Sequence, residues 1–106
     1  MDLYLRKSDQ GQLGPEIYRV ILKDEDGDEV EIGSISVQHS AGAAYYWKWA
    51  IDTVIPMRGH QTQGRGGDRA DCMRKFREAW ARFAADEANL TMFLAEKRRA
   101  RRGATR

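Results

Sequence analysis

The sequence has little cysteine, histidine and proline, and it has no long apolar run. A single cysteine, Cys72, excludes an internal disulfide, and the two histidines, His39 and His60, form no zinc-ligand spacing with it. No stretch approaches the roughly 20 apolar residues that span a bilayer, and the first residues lack the apolar segment of a signal peptide. These absences predict a cytoplasmic protein that folds on its own around a hydrophobic core, with no metal, cofactor or membrane insertion.

Charge is distributed unevenly along the chain. The 106 residues carry 18 basic and 16 acidic groups, a net charge of +2. Residues 97–106 hold six of the basic groups and no acid, so residues 1–96 carry 12 basic and 16 acidic groups, a net charge of −4. We therefore divide the chain into an N-terminal arm (1–15), a single domain (16–96) and a basic C-terminal tail (97–106).

Alternation of apolar and polar residues predicts three β-strands. The first covers residues 17–23, and the turn-forming residues 24–28 connect it to a second strand over residues 30–37. The phase of the second strand changes at Gly33-Ser34, where a β-bulge would return its apolar residues to the core side. Residues 45 to about 55 are rich in aromatic and β-branched side chains and form the third strand.

Two segments are predicted to lack regular structure. Leu3 and Leu5 alternate with polar residues as in a short edge strand, but the glycines and Pro15 that follow favour a loose arm. Residues 59–67 contain four glycines separated by polar residues and have too few apolar side chains to order well. This segment is predicted to be a mobile loop.

A helix is predicted to begin at Asp68, which is a favourable N-cap and has Asp71 three residues later in the place of a capping-box glutamate. Apolar residues then recur at spacings of three and four: Met73, Phe76, Ala79, Trp80 and Phe83. A second, shorter helix follows over about residues 87–99, with one long helix as the alternative. The predicted fold is α+β: a three-stranded antiparallel meander packed on an amphipathic helix, with a short C-terminal helix, in two layers.

Three features that suggest chemistry have simpler structural explanations. The acidic segment between residues 24 and 31 lacks the ligand spacing and flanking helices of a calcium loop, which favours a solvated turn. The segment Gly64–Gly67 lacks the lysine of a phosphate-binding loop, which favours a connector. Cys72 and His60 are the one nucleophile and base pair, but Cys72 falls on the apolar side of the predicted helix. The sequence therefore predicts that the protein is not an enzyme.

The aromatic strand offers two interpretations. Tyr45, Trp47 and Trp49 share one side, where they form either part of the core or an exposed stacking platform, and a domain this small favours the core. The opposite side of the sheet and the tail then supply the candidate binding residues: Arg19, Lys23, Tyr46, Lys48, Lys97, Arg98, Arg99, Arg101 and Arg102.

The order of elements resembles a known group of proteins. A hairpin, the strand Trp47-Lys48-Trp49, a glycine-containing loop and a helix with Ala70, Phe76 and Trp80 are similar to a group of small bacterial α+β proteins with no established activity. The resemblance covers residues 17–85 and implies the fold.

A second resemblance concerns layout. Three antiparallel strands backed by one helix are similar to the plant ethylene-response-factor DNA-binding domain and to the arm-binding domain of tyrosine recombinases. Those domains insert an arginine-rich sheet into the major groove, whereas these strands offer Arg19, Lys23 and Lys48 among many carboxylates.

These observations predict a small non-enzymatic interaction module. Its partner is expected to be a protein, or a second copy of the chain, engaged through the open side of the sheet or the C-terminal helix. The alternative is nucleic-acid binding through the basic tail and the Lys48 side of the sheet, with an affinity that falls as salt rises.

Overall fold

A computed structural model of the chain describes residues 2–8, 16–39 and 45–104. The elements follow in the order β1 (Asp2–Lys7), β2 (Ile17–Lys23), β3 (Glu29–His39), β4 (Tyr45–Ile51), β5 (Gln63–Gly66), α1 (Arg69–Ala84) and α2 (Glu87–Ala104). The predicted α+β class is therefore confirmed. Within the described residues, neither helix combines the length and the apolar character needed to cross a lipid bilayer.

The sheet is antiparallel and has the strand order β1-β2-β3-β4-β5. The three predicted strands correspond to β2, β3 and β4, and the sheet extends beyond them by one strand on each side. The N-terminal segment predicted as a loose arm contains β1, which pairs with β2 so that Leu3 lies opposite Leu22 and Leu5 opposite Val20. In this segment the alternation of Leu3 and Leu5 indicates the structure better than the glycines and Pro15 that follow, because both leucine side chains pack against the core. Residues 9–15 lie outside the described part of the chain.

The second added strand corrects the prediction of a mobile loop over residues 59–67. Within it, Gln63–Gly66 form β5, which pairs with β4 so that Gly64 lies opposite Trp49 and Gly66 opposite Trp47. A β-carbon at Gly64 would lie only 2.8 Å from Nε1 of Trp49. The glycines of β5 therefore leave space for the core side chains that pack beneath the strand. The prediction of a mobile loop was wrong because it took the glycine content as a sign of missing structure.

Apolar side chains on one side of the sheet form the core together with α1. Trp49 is 1 % exposed and Trp47 is partly buried against the same cluster, so the prediction that the aromatic strand contributes to the core is confirmed for these two residues. It is wrong for Tyr45, which is 70 % exposed at the start of β4. Between β2 and β3 the register shifts after Val20, with Val20 opposite Gly33 and Ile21 opposite Glu31. This is the predicted bulge, and it leaves Ile32, between Glu31 and Gly33, fully buried in the core.

Capping hydrogen bonds begin both helices. Oδ1 of Asp68 accepts a hydrogen bond from the backbone N–H of Asp71 at 2.7 Å, and Oδ2 of Asp71 accepts one from the N–H of Gly67 at 2.9 Å. The predicted N-cap at Asp68 is therefore confirmed, with the return bond reaching one residue further back than in an ordinary capping box. Asp86 caps α2 through the N–H of Ala88, so the interpretation with two helices is correct.

Phe93 fixes α2 to α1. Its ring lies 5.1 Å from the ring of Trp80 and 5.8 Å from that of Phe83, measured between centroids, and it is fully buried. The second helix is longer than the predicted span of 87–99, because it continues to Ala104. Residue 97, the first residue of the predicted basic tail, therefore lies inside α2.

Gly33 is a position at which a side chain of α1 packs closely against the sheet backbone, and replacing it tests this packing. A β-carbon there would lie 2.7 Å from Cζ of Phe76 and would also collide with Cε2 of Phe76 and the carbonyl oxygen of Ala50. We expect Gly33→Ala to lower the free energy of unfolding by about 1–3 kcal/mol, measured by urea denaturation, because the core has no room for the added methyl group.

Gly67→Ala is the matched control. A β-carbon at Gly67 would meet only Oδ2 of Asp71, at 3.9 Å, which is an ordinary contact. We expect this variant to differ from the unmodified protein by less than about 0.5 kcal/mol. Equal effects of the two substitutions would contradict the close approach of α1 to β3.

Candidate functional site

The basic C-terminal residues lie against the acidic end of the sheet. Lys97, Arg98 and Arg101 each form an ion pair with a carboxylate of another element. Arg99 pairs with Glu96 within α2. Every candidate of the tail whose side chain the structure describes is therefore engaged inside the molecule, and the side chain of Arg102 lies outside the described part.

Asp52 links three parts of the chain. It follows β4 directly, and its backbone N–H donates to the carbonyl oxygen of Ile32 at 2.9 Å. Its Oδ2 accepts hydrogen bonds from Nη2 of Arg19 at 2.6 Å and from Nζ of Lys97 at 2.5 Å. Burial alone raises the pKa of Asp52, but the hydrogen bonds from Lys97 and Arg19 outweigh it and lower the pKa below its usual value of 3.8. Asp52 is therefore charged at neutral pH and connects β2, the end of β4 and α2.

A second set of ion pairs holds α2 to the turn between β2 and β3. In this acidic turn (residues 24–28), Oδ1 of Asp24 accepts hydrogen bonds from the backbone N–H groups of Asp26 and Asp28, both at 2.9 Å. Arg98 lies 3.7 Å from Asp24, and Arg101 lies 3.6 Å from Asp28. These pairs are solvated and long, so each contributes little to stability, although together they orient the end of α2.

A cleft of about 730 Å³ lies between the C-terminal half of α2 and this end of β2 and β3. Its lining combines basic residues of the helix with acidic residues of the acidic turn and β3, and it includes Ile21. Ile21 is 1 % exposed although it lies on the side of the sheet opposite the core cluster. This apolar position is therefore buried at the base of a cleft whose other wall is the end of α2.

Among the residues that the structure describes, no helix covers the remaining sheet surface opposite α1. We call it the outer face, and it consists of side chains that alternate with the core residues of three adjacent strands: Ser34, Ser36, Gln38, Tyr46, Lys48, Gln63 and Arg65. None of these residues carries negative charge. The carboxylates of Glu31 in β3 and of Asp52 after β4 both pair with Arg19.

The centre of the outer face is built from a stacked pair and a hydrogen-bonding row. The guanidinium carbon of Arg65 lies 4.0 Å from the centroid of the Tyr46 ring, a cation–π contact. Lys48 lies opposite Ser36 on one side and opposite Arg65 on the other. Nε2 of Gln38 donates to Oγ of Ser36 at 2.7 Å. The arrangement presents positive charge, a planar ring and polar hydrogen-bonding groups on one surface.

The structure thus separates the predicted binding residues into groups. Tyr46 and Lys48 share the outer face, whereas Arg19 joins the tail residues in the ion pairs at the end of the sheet. Lys23 is exposed at the end of β2, opposite Glu29.

Sequence reasoning missed Arg65 and Asp52 as site residues. Gln63 and Arg65 alternate with glycines, and this alternation could have indicated a strand that places Arg65 on one side of the sheet. The signal for Asp52 is its position on the same side as Tyr46 and Lys48 at the end of the third predicted strand.

Cys72 and His60, the candidate nucleophile and base, each pack against other residues in the structure. Cys72 is fully buried next to Gly66, where a β-carbon would lie 2.7 Å from its Sγ. Burial raises the pKa of the Cys72 thiol above its usual value, and the charge of Asp71 adds to this effect. The ring of His60 packs edge-on against Phe83 at 5.3 Å. The raised pKa of the buried thiol opposes the thiolate form that a nucleophile needs.

No family model, curated protein or solved structure matches this chain. The resemblance based on Trp47-Lys48-Trp49 and the helix that follows stays a prediction.

Asp52→Asn tests the link between the sheet and α2. The variant leaves Lys97, whose side chain is 17 % exposed, without a carboxylate, and it leaves Arg19 with that of Glu31 alone. We expect a loss of about 1–3 kcal/mol in the free energy of unfolding at pH 7, measured with urea. Because the folded pKa of Asp52 is lowered, its contribution is present above its unfolded value near 3.8 and is lost as pH falls through the folded pKa. The difference between the two proteins should therefore shrink at pH 3.

Glu31→Gln is the matched control for this variant. Glu31 pairs with the same Arg19 at 3.5 Å, but its side chain is 55 % exposed. We expect a change below about 0.5 kcal/mol at pH 7. A loss for Asp52→Asn that stays the same between pH 7 and pH 3 would contradict the role assigned to the carboxylate.

The burial of Cys72 predicts its reactivity. Ellman's reagent should modify the thiol in the folded protein at least about a hundredfold more slowly than in urea, because access requires opening of the core around α1. Equal rates in the two conditions would show that the thiol is accessible and would restore Cys72 as a candidate nucleophile.

Proposed function

We propose that the protein is a non-enzymatic binding module that engages an acidic segment of a partner protein through the outer face. The observation that carries the proposal is the Arg65–Tyr46 stack with Lys48 beside it, on a sheet surface that neither α1 nor α2 covers. Such a surface complements carboxylates, while the side chains of Ser34 and Gln38 supply hydrogen bonds to a peptide. Ser36 itself is buried and serves as the acceptor for Gln38.

The distribution of charge supports a protein partner over nucleic acid. A nucleic-acid site draws most of its affinity from cations that follow the phosphate backbone. Here Lys97, Arg98 and Arg101 already face carboxylates of the same chain, which leaves Lys48 and Arg65 as the basic groups of the outer face. Two cations and one stacking ring suit a short acidic segment better than an extended polyanion.

Self-association is supported less well than a different partner. The chain has its own concentrated acidic segment, the acidic turn (residues 24–28), but Arg98 and Arg101 of α2 already lie against it. A second copy would have to displace these contacts before its acidic turn could reach Lys48 and Arg65.

Amide chemical-shift mapping tests the proposal. A short glutamate-rich peptide is titrated at low salt, in parallel with a single-stranded oligonucleotide of equal charge. We expect the peptide to shift the amide signals of β3, β4 and β5 around Lys48, and the double variant Lys48→Glu/Arg65→Glu to weaken binding at least about tenfold. The effect should decrease as salt increases.

Arg58→Glu is the control for change of charge, because Arg58 is exposed in the connection between β4 and β5 and is not one of the strand residues that form the outer face. It should leave the peptide affinity unchanged. Tighter binding of the oligonucleotide at the same residues would replace the proposal with nucleic-acid binding. Absence of shifts with both probes, or shifts confined to other surfaces, would overturn it.

A further inference from the structure

A separate cleft lies on the other side of the sheet, between α1 and the strands β4 and β5. Its volume is about 270 Å³, and it is lined by Trp49, Gln61, Arg65, Arg74, Lys75, Glu78 and Arg82. The guanidinium of Arg65 stacks over Tyr46 on the outer face, while its carbonyl oxygen accepts a hydrogen bond from Nζ of Lys75 at 3.0 Å. The basic side chains that α1 contributes to this cleft are therefore those of Arg74, Lys75 and Arg82.

The cleft includes a buried hydrogen-bond donor without an acceptor. Trp49 is 1 % exposed, and its indole Nε1–H is the one buried side-chain polar group without a partner among the described residues. The ring is held by an edge-on contact with Phe76, at 6.1 Å between centroids, so it cannot turn toward another acceptor without disturbing the core. A buried donor without a partner lowers stability until an acceptor reaches it.

The basic residues around the cleft differ in how far they are already neutralised. Arg74 donates to Asp71 at 2.8 Å and to Glu78 at 3.0 Å, and Lys75 lies 3.4 Å from Asp71. Arg82 forms no ion pair within the part of the chain that the structure describes. Positive charge is thus available at the Arg82 end of the cleft, and Glu78 is its one acidic lining residue.

We propose that this cleft binds a small oxyanion of the size of phosphate. Arg82 and Lys75 supply the positive charge, and the indole Nε1–H of Trp49 donates a hydrogen bond to one oxygen. Arginine suits this role because its planar group can donate two parallel hydrogen bonds to a phosphate or a carboxylate. Access to the indole requires the side chain of Gln61 to move aside, because Gln61 lies next to the same glycine, Gly64, as Nε1 does. Gln61 is exposed, so this movement is confined to the surface.

The site is independent of the proposed function, because it lies on the α1 side of the sheet. It is also distinct from the helix N-terminus. The N–H groups at the start of α1 are capped by Asp68, whereas Lys75, Glu78 and Arg82 lie along the middle and the end of the helix. The ligand chemistry is shared by free inorganic phosphate and by the phosphate group of a monoester, so both are tested.

The indole N–H signal of Trp49 provides a direct measurement. The full chain is titrated with inorganic phosphate and, separately, with glycerol phosphate, while chloride keeps the ionic strength constant. We expect the Trp49 signal to shift to lower field with a saturating curve, while the signals of Trp47 and Trp80 stay nearly constant. A tighter constant for glycerol phosphate assigns the site to a phosphate monoester, and a tighter one for inorganic phosphate assigns it to the free ion.

Three substitutions on α1 are expected to differ in their effect on the phosphate affinity. Arg82→Gln should weaken phosphate binding about tenfold, because it removes the unpaired cation. Glu78→Gln should strengthen binding, because it removes the competing carboxylate. Arg77→Gln is the control: Arg77 lies on the same helix but donates to the carbonyl oxygen of Leu3, away from the cleft, and its variant should bind as the unmodified protein does.

Two outcomes would overturn the proposal. The first is a Trp49 signal that moves without saturation, or equally in Arg82→Gln and Arg77→Gln. The second comes from Gln61→Ala: a shift of the Trp49 signal without phosphate, with no further shift on adding it, would show that the amide oxygen of Gln61 accepts the indole hydrogen bond.

Discussion

The ring of Phe76 lies against the backbone of β3 at Gly33, and the contact is close enough to exclude any side chain there. It sets the height of α1 above the sheet, so Trp49 is covered from one side by Phe76 and from the other by Gly64 of β5. Once α1 is placed, the short connection through Asp86 leaves α2 little choice of direction, and Phe93 fixes it against α1. The C-terminal half of α2 then passes the end of the sheet, where Lys97 meets Asp52. The ion pairs at that end therefore depend on a packing contact at the centre of the sheet.

Ion pairs within the molecule change how the charge distribution of the sequence should be interpreted. The sequence separates an acidic body from a basic tail, but in the fold the two meet. Asp52 holds Lys97, while the acidic turn faces Arg98 and Arg101. What remains for a partner is a smaller surface whose positive charge comes from Lys48 in the aromatic strand and Arg65 in the glycine-rich segment. The proposed binding role therefore depends on which charges are left unpaired after folding, rather than on where they are concentrated in the sequence.

The sequence predicts the elements whose signals are local and periodic. The alternation in β2 to β4, the bulge near Gly33, the cap at Asp68 and the stripe of α1 all depend on neighbouring residues, and all are found in the structure. The edge strand β5 was missed because its glycines suit the space under Trp49, and that space exists only in the folded sheet. The role of Arg65 was missed for the same reason, since its partner Tyr46 belongs to a different strand. Asp52 joins residues far apart in the sequence, and no spacing rule connects Arg19 with Lys97.

The two halves of α2 are held by different forces, and this divides the helix in its response to ionic strength. Phe93, with Leu90 and Leu94 beside it, is anchored in the apolar core, which salt does not screen. Beyond Lys97, the helix meets the sheet mainly through solvated pairs such as those of Arg98 and Arg101, which counter-ions weaken over a Debye length of about 8 Å at physiological salt. The last turns should fray first as salt rises, and their amide hydrogens should exchange sooner than those around Phe93. Rising ionic strength should therefore loosen the wall that α2 contributes to the cleft beside Ile21.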